Sequence, residues 1–153
     1  MADRFIVLIP TDHDARLSQN QLAGLEDTLA GICGVKESRA KTFGDRLQFI
    51  DCGENRQAIQ CPACDADLDV SWWAHRMDHA WDNDHGFHMC DFAMPCCGAT
   101  SQLDKLIYRP KQGFARWFVS ARDPGSEALT RDDISRLEAI AGQPLTVIYQ
   151  MYP

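Results

Sequence analysis

The sequence predicts an α+β fold made of two β-α-β units with a cysteine-rich segment set between them. Three observations predict it. An unbroken apolar run, Phe5-Ile6-Val7-Leu8-Ile9, stands near the start, and a second strand-like run occupies 145–152. Each half carries a helix-start signal, Ser18 with Gln21 and Thr130 with Asp133, followed by apolar residues at helical spacing. Between the halves, residues 59–110 hold Cys61, Cys64, Cys90, Cys96 and Cys97. The order β-α-β, insert, β-α-β is that of a ferredoxin-like sandwich within one domain spanning 1–153.

The elements follow in order. Residues 4–9 form a strand stopped by Pro10, and Thr11-Asp12-His13-Asp14 is a polar loop. Leu22, Leu25, Leu29 and Ile32 share one helical face, and Gly31 and Gly34 end that helix. Residues 35–42 and 46–52 read as two strands around a Gly44-Asp45 hairpin turn. Within the insert, Asp69 or Ser71 caps a helix running to about Asp82. Its Val70, Trp73, Met77 and Trp81 lie on one face, a core-packing stripe from which Trp72 points away. Residues 87–94 enter the second cysteine cluster as a strand, and 103–108 leave it. Residues 114–121 form the next strand, closed by the turn Asp123-Pro124-Gly125. Ile134, Leu137 and Ala141 face inward from the last helix, with Gly142 as its stop.

Composition narrows the function classes. The net charge of −7 and pI near 5.1 repel phosphate backbones and anionic lipid, which argues against nucleic-acid binding and suits a basic protein partner. No apolar run reaches the ~20 residues that span a bilayer, so no membrane role is expected. The first apolar run begins behind Asp3 and Arg4 without the features of a signal peptide. Seven cysteines, an odd number, without such a signal place the chain in a reducing, cytoplasmic setting, where thiols bind metal more often than they pair.

The cysteines carry the chemistry. Cys61-Pro62-Ala63-Cys64 is a turn that aims two sulfurs at one point, and Cys96-Cys97-Gly98 offers two more. Four thiolates are what a tetrahedral zinc ion takes, so Cys61, Cys64, Cys96 and Cys97 are the expected ligand set and zinc the expected cofactor. The second cluster is irregular, because Met94 stands where the first cysteine of a C-x-x-C-Gly turn belongs. Adjacent side chains in a strand point apart, so Cys96 and Cys97 both ligate only if the chain turns sharply between Pro95 and Gly98. Two alternatives stay open. Cys90 or His88 takes the place of one of the adjacent pair, or the thiols hold no metal and are core residues or a redox pair. Cys33 and Cys52 read as core or surface thiols. His75 and His79 stand at i, i+4, with His85 and His88 close behind and Asp78, Asp82 and Asp84 among them. That group lacks the glutamate of an H-E-x-x-H zinc site and reads as a solvated face.

Around Pro95-Cys96-Cys97-Gly98, Leu103-Asp104-Lys105-Leu106 and Gly113-Phe114-Ala115-Arg116, the sequence resembles a family of small uncharacterised bacterial zinc-ribbon proteins. The resemblance takes in Phe5 to Asp12, the Cys61–Cys64 knuckle, Trp72-Trp73 and Leu145-Thr146-Val147-Ile148. It implies that Cys96 and Cys97 are both ligands. Members are sometimes labelled sugar-transporter ATPases, which does not suit this chain, since it lacks a Walker A phosphate loop. The histidines and Cys90 depart from the family pattern.

These readings point to a cytoplasmic, zinc-binding, non-catalytic protein-interaction module, of an immunity or partner type, whose metal site is structural. No catalytic residue is assigned. The competing expectations are a metal-dependent enzyme using the His75, His79 and His85 region, and a zinc-ribbon nucleic-acid binder using Lys105, Arg109, Lys111, Arg116 and Arg122.

Overall fold

The computed structural model describes residues 3–125 and 128–153. The first part of the chain forms β1 (Asp3–Pro10), α1 (Gln19–Cys33), β2 (Arg39–Thr42), β3 (Gln48–Ile50) and β4 (Ala58–Gln60). Next come α2 (Val70–Ala80) and four two-residue strands, β5 (Trp81–Asp82), β6 (Gly86–Phe87), β7 (Phe92–Ala93) and β8 (Thr100–Ser101). A 3-10 turn (Leu103–Lys105), β9 (Ile107–Arg109), β10 (Gly113–Ala115), β11 (Trp117–Arg122), α3 (Arg131–Ala141) and β12 (Leu145–Tyr152) complete the chain.

The fold is α+β. Its frame is a four-stranded sheet ordered β12-β1-β11-β2, with every neighbouring pair antiparallel. β1 sits inside this sheet, which explains why its run is apolar throughout instead of alternating: both faces are covered. Ile6 and Leu8 join Trp117, Val119, Ala121 and Leu145 against Leu22, Leu25 and Leu29 of α1 and Leu137 and Ala141 of α3. Val7, Ile9 and Ile148 face the other way, against Ile50, Cys52 and Ala115.

Both frame helices start and stop where their end residues dictate. The Ser18 hydroxyl accepts the Gln21 N–H while the Gln21 side chain accepts the Ser18 N–H, and Thr130 and Asp133 repeat the arrangement. Gly34 and Gly142 close the helices in left-handed geometry, at φ 69° and 68°. Gly31 lies inside α1 and does not end it, because the left-handed cap falls on Gly34.

The chain leaves the sheet after Thr42 and rejoins it at Trp117, whose Cα partner across the ladder is Thr42. Between them a second core forms from Leu47, Ile59, Cys61, Leu68, Trp73, Met77, Phe92, Met94, Leu103, Leu106, Tyr108 and Phe114. Leu47 and Phe114 lie outside the 59–110 limits read from the cysteines. Several elements differ from the sequence reading, including the strand expected over 87–94, which is split into β6 and β7. Gly44-Asp45 makes a turn, but its flanking strands do not pair: β2 joins β11 while β3 joins β10. Register explains it, since Phe49 opposite Phe114 also meets Trp73 and Tyr108, whereas β2 is mostly exposed. The strand expected over 114–121 breaks at Arg116, whose guanidinium is held by the Asp45 carbonyl at 2.6 Å and the Asp14 carboxylate at 3.1 Å. The 103–108 stretch starts as the 3-10 turn, and the strand leaving the second cluster is β8. α2 ends at Ala80; Trp73 and Met77 are buried, but Val70 is exposed, since it sits in the first turn beside the Asp69 cap.

Candidate metal centre

Each cysteine cluster sits in a turn of the same construction. In the first, the Cys61 N–H donates to the Ala66 carbonyl at 2.9 Å and the Asp65 N–H donates to the Cys61 carbonyl at 2.9 Å. In the second, the Met94 N–H donates to the Ala99 carbonyl at 2.8 Å and the Gly98 N–H to the Met94 carbonyl at 2.9 Å. Proline follows the first residue in both turns, and the fifth residue takes positive φ in both, 63° at Asp65 and 76° at Gly98. The turns therefore correspond position by position: Cys61 to Met94, Ala63 to Cys96, Cys64 to Cys97.

That correspondence accounts for the irregular motif. Met94 is buried in the second core, 2% exposed, and fills with a thioether the position that Cys61 fills with a thiol. Cys96, at the third position, is exposed and supplies the missing sulfur from the place that Ala63 holds in the first turn. The turn bends the chain enough that adjacent Cys96 and Cys97 no longer point apart. Cys97 Sγ lies 3.8 Å from Cys61 Sγ, and Cys96 Sγ lies 3.4 Å from Cys64 Sγ. All four sulfurs fall within 4.8 Å of one another, a group that can hold a metal ion. Tetrahedral thiolates about 2.3 Å from a metal stand roughly 3.8 Å apart, so the separations fit.

The thiols of the group differ in how readily they lose a proton. Burial opposes ionisation of Cys61, but the N–H groups of Cys64 and Ala63 point at its sulfur and, with neighbouring thiols, bring its pKa down to about 7. Cys96 is pushed up to about 12 by desolvation and by the other sulfurs of the group. Four thiolates cannot coexist at this spacing unaided; a dication at their centre removes the conflict and deprotonates them together. All seven cysteines are free thiols. Cys33 and Cys52 are buried, and burial, with Asp133 and Asp51 nearby, raises both. Neither Cys90 nor His88 belongs to the four-sulfur group.

Trp72 and the histidines take separate places. Trp72 stacks on Phe92, centroids 5.7 Å apart at 17°, and so belongs to the second core. His75 and His79 are exposed neighbours on α2 with Asp78 between them, but among the described residues these three do not converge closely enough to form a metal-holding group. His85 and His88 instead gather around Asp82 on the β5–β6 hairpin. The signal for that group, D-x-x-H-x-x-H, is in the sequence, but only the hairpin brings its three residues to one side. Arg116 and Arg122, two of the basic residues named for a nucleic-acid binder, are ion-paired with Asp14 and Asp3. Among the described residues no helix is long and apolar enough to cross a membrane. The chain matches no family model, no curated protein and no solved structure.

Proposed function

We propose that Cys61, Cys64, Cys96 and Cys97 bind one zinc ion as a closed structural centre in a cytoplasmic, non-catalytic protein-interaction module. The convergence of four sulfurs from two matched turns carries this reading. Thiolate-only donor sets select zinc over harder ions, and four protein ligands leave no position for water or substrate. The ion's work is to fold the segment between β2 and β11 as a zinc-ribbon-like subdomain, its turns clipped together by the metal. The frame to which it is attached is read as ferredoxin-like, a reading supported by the sheet order β12-β1-β11-β2 and two helices on one face. Membership of the zinc-ribbon family resembled by the sequence belongs to the same proposal.

The partner is proposed to be a basic protein, of the kind that an immunity or partner protein neutralises. The net charge of −7 supports this, as do the exposed acids Asp65, Asp67, Asp78, Asp84 and Asp91 spread over the subdomain. Native mass spectrometry of the untagged chain is the test. One zinc per chain, lost together with the subdomain's fold on chelation, is the expected result, and a metal-free chain with the same fold would reject it. Reversing Asp65, Asp78 and Asp91 to lysine is expected to weaken a co-purifying basic partner in a salt-dependent manner; unchanged affinity would end the charge argument.

A further inference from the structure

We propose that Asp82, His85 and His88 form a second metal site, with open coordination positions, that takes a divalent first-row transition ion. Their donor atoms lie within 4.8 Å of one another, on a hairpin of seven residues. Each carboxylate oxygen addresses a different imidazole. Oδ1 is 3.5 Å from His85 Nδ1, and Oδ2 meets His88 Nε2. A plain surface ion pair needs one imidazole for one carboxylate; here two imidazoles share one, which is the donor set of a 2-His-1-carboxylate centre. Bonds of about 2.1 Å would set the donors roughly 3.4 Å apart, near the 3.5 Å between Asp82 Oδ1 and His85 Nδ1.

The hairpin is held ready. Asp82 Oδ1 accepts the N–H groups of Asp84 at 2.8 Å and His85 at 2.6 Å, which fixes the carboxylate's direction. Leu47 clamps the hairpin from the side: its N–H donates to the His85 carbonyl at 3.0 Å, and its carbonyl accepts from Phe87 at 2.9 Å. Gly86 permits this approach, since a Cβ there would strike the Leu47 carbonyl oxygen. The ligands thus stand on a backbone fixed to the buried core while their side chains stay accessible.

The site differs in kind from the four-sulfur group. Imidazole and carboxylate suit zinc, cobalt, nickel or ferrous iron, and three protein ligands leave room for water or an exogenous ligand. Beside it, His88 also lines a cavity of about 220 Å³ together with His79, Cys90, Arg76 and Phe92. A small ligand entering that cavity would meet the metal's neighbourhood and an arginine.

The test titrates the purified chain, its existing metal first counted, with cobalt(II) and with zinc(II). One further equivalent is expected, with the His85 and His88 ring nitrogens shifted in imidazole nitrogen NMR on zinc addition. H85A and H88A should each weaken this second equivalent by roughly 100-fold. D82N keeps an oxygen for the two N–H groups and so preserves the hairpin while lowering affinity. H75A should leave the second equivalent in place. No further equivalent, unshifted histidines, or equal loss in H75A and H88A would overturn the site.

Discussion

Tyr108 ties three parts of the second core with one hydroxyl. It donates to the Leu103 carbonyl at 2.8 Å and accepts from the Trp73 indole N–H at 3.2 Å, while its ring packs 5.6 Å from Phe49. Removing the oxygen in Y108F leaves a buried donor and a buried acceptor without partners, a cost of about 1–3 kcal/mol that denaturant unfolding would register. Burial also raises the phenol well above its ordinary value, with the Asp104 charge adding to the effect. A phenol whose folded pKa is raised holds its proton in the native state after the unfolded chain has lost it. Stability is therefore full below pH about 10 and falls as pH rises further. Phenolate absorbance from Tyr108 should appear together with alkaline unfolding, not before it. Nothing in the sequence singles out this tyrosine, because its partners, Trp73 and Leu103, are distant or unremarkable in the chain.

Elements defined by adjacent residues were legible, and those defined by distant pairing were not. Ser18 with Gln21 and Thr130 with Asp133 stand three positions apart, so their caps can be read directly. S18A and T130A are each expected to cost about 1 kcal/mol, measurable by thermal or denaturant unfolding. Cys61-Pro62-Ala63-Cys64 is legible for the same reason. The missing hairpin at Gly44-Asp45 shows the opposite case: turn chemistry is local, but the choice of Phe114 as the neighbour of Phe49 is made by the second core. The second cysteine turn falls between the two, since its backbone repeats the first but its ligands are displaced. That register predicts a rescue. C96S should lower metal affinity sharply, and adding M94C, which puts a thiol opposite the Cys61 position, should restore one metal per chain by native mass spectrometry. Failure of the double variant to bind would mean that the turns match in backbone only.

At the scale of the molecule, the sheet-and-helix core and the second core are separate apolar clusters, bridged by a third in which Ile50, Cys52 and Ala115 pack on Val7, Ile9 and Ile148, and by polar contacts at the edges. His13 Nδ1 in the β1–α1 loop meets Asp104 of the 3-10 turn at 3.1 Å, and Arg116 reaches Asp14. Metal removal is expected to free backbone amides of β4, α2 and β9 to hydrogen exchange, while β1, β11 and β12 keep their protection. Simultaneous loss in both regions would show that the cores melt as one. The sequence makes the β-α-β halves visible through their period and caps. It conceals the cleft of about 660 Å³ between the sheet and β3, lined by Phe5, Phe49, Phe118 and Tyr152 with Arg39 and Arg122. That space exists because the intervening segment covers only one end of the sheet, a matter of long-range placement.

The ends of that segment meet. Phe43 donates to the Arg116 carbonyl at 2.8 Å, beside the Thr42–Trp117 pair, so the β2–β11 ladder closes a loop running from 43 to 116. A four-residue turn in its place would lower the entropy of closing the ladder by about 2–3 kcal/mol and speed its formation. The same exchange would strip Ile50 and Ala115 from Val7, Ile9 and Ile148 and leave a greasy sheet face bare. Slow closure is thus coupled to a covered surface, and shortening the loop would trade folding speed for a tendency to aggregate.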